Sequence, residues 1–131
     1  MSVTVTVRDE SSTGRATGLV VIEGIPATIT LRDLIRTRVR DEVARYNAEP
    51  KDVFEGLVMP EGATASRDGF AMRARRRVDW ERQADLAVEA FGRNGFFVLI
   101  DDRQVTNLDA ALALSADSDI RFVRLVPLVG G

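Results

Sequence analysis

The chain has 131 residues, 45% of them apolar and 29% charged, with a formal net charge of −2 at neutral pH. That length and composition fit one domain of ordinary globular make-up, and the slight negative charge argues against general nucleic-acid binding. Cysteine and histidine are both missing, which closes off disulfides, thiol chemistry, the usual zinc ligands and the usual general base near neutral pH.

The residues left for chemistry are carboxylates, hydroxyls, arginine and the termini, so neither an enzyme nor a metal or bound cofactor is expected. No run approaches the roughly 20 apolar residues that a membrane span requires. The opening MSVTVTVRDE carries no basic-then-apolar leader, so a cytoplasmic location is expected. Arginine outnumbers lysine 17 to one, the single lysine being Lys51. The plain reading is a codon bias toward arginine; the functional one is avoidance of amines by a protein that amine-modifying enzymes handle.

In chain order, residues 3–8 (VTVTVR) alternate valine with polar partners, the period of a half-buried strand. DESSTGRATG reads as a long hairpin loop, and LVVIEG as a second strand ended by Gly24. After Pro26 the period changes: Leu31, Leu34, Ile35, Val39, Val43 and Tyr46 recur at three- and four-residue steps, one face of a helix. Thr30 suits its N-cap and Asp33 its first turn. Arg32, Arg36, Arg38, Arg40, Asp41 and Glu42 are assigned to the wet face, and Pro50 bars further helix.

Residues 50–69 hold two prolines and three glycines and read as a loop, whose one apolar patch, Val53-Phe54 through Leu57-Val58-Met59, either docks on the body or forms a short strand. A second helix is predicted over about 80–91, capped by Asp79 and stopped by Gly92 or Gly95, with an earlier start near Phe70 as the alternative. Trp80 and Phe91 are expected in the core beneath it, with exposure to a partner as the alternative. FFVLI (96–100) is a buried strand, DDRQV a turn and short return, and LDAALALSADSD a loop or brief helical turn. Asp101-Asp102 are read as turn formers and not as a catalytic pair. IRFV (120–123) opens the last strand with Ile120 and Phe122 facing inward, and a bulge or exit is expected near Arg124. The order predicts an α+β fold with a mixed sheet.

That order, closing on RFVRLVPLVGG, resembles the β-grasp family of ubiquitin-like modifiers and sulfur carriers. The likeness is carried by residues 96–131, where a strand, a turn, the return Arg103-Gln104-Val105, a connection opened by Leu108 and a last strand run into Gly130-Gly131. It extends in pattern over 1–47 and stops at an insertion over about 50–95. The resemblance implies one β-grasp domain over 1–131: a mixed sheet, one main helix, and a helical insertion between that helix and the third strand.

Among the implied relatives are bacterial ubiquitin-like proteins encoded beside activating enzymes, conjugating enzymes and deconjugating proteases, some of them in antiphage systems. By the same resemblance Gly131 is the activated residue, using ATP held by the partner enzyme, and Gly130 is kept bare so that the backbone threads a narrow channel. Leu125, Val126, Pro127, Leu128 and Val129 dock the tail on the activating enzyme, with Pro127 stiffening it. The last arginine is Arg124, whereas ubiquitin carries arginines just before its diglycine, so a dedicated enzyme is implied.

Lys51 is the candidate acceptor amine. Alternatives are a sulfur carrier ending in a thiocarboxylate, and a non-covalent module that self-associates through sheet edges or the insertion. Arg73, Arg75, Arg76 and Arg77 form a basic cluster, read as a solvated face or as a docking patch for an acidic partner.

Overall fold

The computed structural model describes residues 1–66, 69–73 and 76–125. The chain divides into two units, one built from Met1–Leu34 and Phe91–Gly131, the other from Ile35–Ala90. The fold class is α+β, with a mixed sheet and two helices among the described residues.

The first unit starts with a hairpin of β1 (Ser2–Ser11) and β2 (Ala16–Pro26). The valine alternation turns Val5 and Val7 inward, where both are fully buried. The expected long loop is mostly strand: the turn is confined to Ser12–Arg15, with Gly14 at φ 83° and Ser11 N–H donating to Arg15 C=O at 2.8 Å. Asp9–Ser11 stay extended because β1 has a second partner. They pair, in parallel, with Phe122, Val123 and Arg124 of β10 (Ile120–Arg124). Gly24 does not end β2 either. Val3 faces Ile25 and Val5 faces Ile22, so one extra residue bulges opposite Thr4, and Gly24 takes the positive φ of 72° that a bulge needs.

β7 (Phe96–Ile100) lies against the other side of β10, antiparallel, and β8 (Arg103–Gln104) follows. The sheet order is β2-β1-β10-β7-β8. Asp101 and Asp102, at φ 49° and 66°, make the two-residue turn between β7 and β8. Phe96, Val98, Ile120 and Phe122 are buried on the inner face, with Phe96 and Phe122 stacked at 5.8 Å.

One expectation fails here. Residues 108–119 are not simply loop or helical turn: Ala111–Ala113 form β9, antiparallel to β3 (Thr28–Thr30). Leu112 anchors this pair opposite Ile29, and both side chains are buried.

Helix α1 (Leu31–Ala48) begins as expected, the Asp33 amide donating to Thr30 Oγ1 at 3.1 Å. Its buried stripe is wider than the sequence reading allowed. Arg38 and Glu42, assigned to the wet face, are 2% and 5% exposed. They fall beside Val39 and Val43 and continue the same stripe, joined Nε to Oε1 at 2.7 Å.

In the second unit Glu42 also accepts the Leu57 amide through Oε2 at 3.1 Å. β4 (Val53–Phe54), β5 (Thr64–Ser66) and β6 (Gly69–Ala71) form a small sheet in the order β4-β6-β5. Phe70 and Ala71 are therefore strand, which rules out a helix starting at Phe70. Pairing with Phe54 and Val53 wins over local helix preference.

Helix α2 (Trp80–Gly92) is capped by Asp79, whose Oδ1 accepts the Glu81 amide at 3.1 Å. Trp80 is not a core residue; it is half-buried beneath the guanidinium groups of Arg36 and Arg40, 5.7 and 5.1 Å from its ring centre. In the first unit Phe91 is also only half-buried, with its ring 5.7 Å from that of Phe96.

Gly56 is fixed by the buried pair. A Cβ there would stand 2.3 Å from Phe54 Cε1 and 2.6 Å from Glu42 Oε2. Gly56→Ala is expected to cost about 1–3 kcal/mol as an overpacked site, read as a lower urea midpoint with an unchanged slope.

Candidate functional site

The expected site lies where β10 leaves the sheet. Arg124 still pairs with Ser11 on one side and Phe96 on the other, with continuous register on both. The chain therefore exits there without a bulge. The Leu125 amide donates to Gly95 C=O at 3.3 Å, and its side chain is 41% exposed. Gly95 is positioned by the end of α2, where Asn94 at φ 60° donates its amide to Phe91 C=O at 3.0 Å.

Of the other predicted tail residues, Val126, Pro127, Leu128, Val129, Gly130 and Gly131 lie outside the described residues, as does Arg75 of the basic cluster. Lys51 is exposed, two residues before β4 in the second unit, and its carbonyl accepts the Tyr46 hydroxyl at 3.0 Å.

The outward face of the sheet was not read from the sequence as a site. Cross-strand register sets Leu19, Arg8, Arg121, Leu99 and Gln104 in one row. A neighbouring row holds Glu10, Val123 and Phe97, and Val21 lies beside Thr6. Leu19 and Val21 are 64% and 53% exposed. The signal was present in RFVR: once Ile120 and Phe122 point inward, Arg121 and Val123 must point outward.

Arg8 and Arg121 are direct neighbours, a placement that repels unless carboxylates intervene. Asp119 accepts from Arg8 Nη2 at 2.6 Å and stands 3.6 Å from Arg121 Nε. Glu10 lies 3.4 Å from Arg121 Nη1, and Asp102 bonds to Nη2. The hydrogen bond and charge of Asp119 raise the Arg8 pKa above its already high ordinary value. Arg8 and Asp102 are well exposed, so their pairs hold side chains in place more than they stabilise the fold, whereas the Arg121 and Glu10 side chains are largely covered. The face is thus a fixed ionic centre with exposed aliphatic residues beside it.

Among the described residues, no group of three or more acidic, histidine or cysteine side chains gathers that could hold a metal ion. No helix among them is long and apolar enough to cross a membrane. The chain matches no known protein family, no curated protein and no solved structure.

Proposed function

We propose that this chain is a β-grasp, ubiquitin-like modifier, activated at the Gly131 carboxyl group and joined to amines on other proteins. The observation that carries the reading is the sheet order. The hairpin β1-β2 precedes the main helix, β7-β8 follow the insertion, and β10 enters the centre parallel to β1. The exposed Leu125 beyond Arg124 supports the same reading, because it begins the apolar run that a partner enzyme would bind.

Chemically, the Gly131 carboxylate attacks the α-phosphorus of ATP on the partner, and pyrophosphate leaves. A partner cysteine thiolate then displaces AMP from the acyl-adenylate. A target amine displaces that thiolate and loses a proton as the isopeptide bond forms. This chain supplies the acyl group and the surfaces that present it. The outward sheet face, with its exposed leucine and valine near a charged centre, suits recognition by such partners.

A sulfur carrier is the second reading, favoured by Pro127 and by the lack of arginine after Arg124. Intact mass after incubation with ATP and a cognate activating enzyme separates the two. A covalent adduct to a larger protein is the expected result. A gain of about 16 Da, from oxygen replaced by sulfur, would instead identify a carrier. An unchanged mass with a competent enzyme would overturn both and leave a non-covalent module.

A further inference from the structure

The second unit contains a cleft of about 450 Å³ with an arginine-rich lining. Arg73, Arg76 and Arg77 are exposed there, and no side-chain ion pair or hydrogen bond engages them among the described residues. The two lining carboxylates are already committed. Glu61 bonds Arg82 and raises its pKa, while Asp79 caps α2. Half-buried Met72, Val78 and Leu86 add an apolar lining.

The basic stretch is anchored on either side. The Met72 amide donates to Asp52 C=O at 2.7 Å, and Val78 exchanges two hydrogen bonds with the Asn47 amide group at 2.8 and 2.9 Å. Three exposed arginines on one short segment present positive charge that an anionic ligand would neutralise.

The geometry points to an acidic peptide segment of a partner protein, carrying apolar residues among its carboxylates, as the occupant of this cleft. A small ligand would need a few desolvated polar groups converging on it. These guanidinium groups are instead exposed and spread, which suits several carboxylates along a chain, each taken by an arginine fork. The apolar lining gives that chain's hydrophobic side chains a place to lie. A phosphodiester backbone fits less well. It brings no aliphatic side chains to lie against Met72, Val78 and Leu86.

The test uses the full chain and a fluorescein-labelled peptide of sequence Glu-Glu-Leu-Glu-Glu-Leu-Glu, followed by anisotropy at low salt. The protein carrying Arg73→Glu, Arg76→Glu and Arg77→Glu together is expected to bind roughly tenfold or more weakly. A charge-matched control, Arg15→Glu with Arg93→Glu and Arg103→Glu, should stay within about twofold of the parent. The same peptide with glutamine for glutamate should bind far more weakly. Equal loss in both triple variants, or equal binding of the glutamine peptide, would overturn the proposal. So would tighter binding of a single-stranded oligonucleotide through the same arginines.

Melting curves check that the variants are folded, and the milder Arg→Gln triple replaces the reversal if it is not. Removing Gly130 and Gly131 should leave this affinity unchanged, so the result stands apart from the fate of the proposed tail chemistry.

Discussion

Glu42→Ala is expected to destabilise the protein by about 3–5 kcal/mol, the range for breaking a buried ion pair from one side. The Arg38 and Glu42 side chains are 2% and 3% exposed, and their Nε and Oε1 atoms are 2.7 Å apart. Removing the carboxylate strips Arg38 of that partner inside the protein and leaves the Leu57 amide without the acceptor it has at 3.1 Å. Both losses are desolvation costs that solvent cannot offset at such burial. Replacing the pair together, with Arg38→Met and Glu42→Leu, should recover part of the loss, since the Arg38 charge is removed along with its carboxylate partner. A residual of about 1–3 kcal/mol is expected from the Leu57 amide. Urea unfolding of the three proteins decides the matter. A cost below about 1 kcal/mol for Glu42→Ala would mean that the pair behaves like a surface one.

Deleting Gly131 is expected to abolish formation of the adduct while leaving the melting temperature within a degree or so of the parent. On the proposed reading this residue is the acyl donor and not a packing element, so the effect falls on transfer alone. Phe122→Ala makes the opposite expectation. It removes a fully buried ring stacked on Phe96 and should cost about 3–5 kcal/mol while keeping the acyl donor. A mass series on the deletion, with a melting curve on each variant, separates the two effects. Full adduct formation by the deleted protein would remove the basis of the proposed chemistry.

The alternating valines of β1, the apolar run of β7 and the apolar stripe of α1 were legible because each buries a regular pattern of hydrophobic residues. The caps at Thr30 and Asp79 were legible because a side-chain acceptor at that position has one local use. Arg38 and Glu42 were misread because hydropathy treats each as wet, although their four-residue spacing beside Val39 and Val43 lets them satisfy one another inside the stripe. β9 and β6 were missed for a different reason. Ala-Leu-Ala and Gly-Phe-Ala have weak strand preference, and pairing with distant segments, Thr28–Thr30 and Val53–Phe54, decides their form.

Of the candidate site, the end of β10 at Arg124 was legible in the alternation that breaks after Phe122, whereas Val126–Gly131 lie outside the described residues. The outward row of Leu19, Arg8, Arg121 and Leu99 was hidden because its members come from four strands, and no one-dimensional pattern brings them together.

The placement of β10 between β1 and β7 also dictates the timetable of folding. Arg8 meets Asp119 across 111 positions of chain, so the central ladder cannot begin until the last strand has emerged from the ribosome. Until then β1 and β7 each offer an open edge, and a nascent chain in that state can pair wrongly. Refolding should accordingly be slow for a protein of this size, limited by loop closure and not by helix formation.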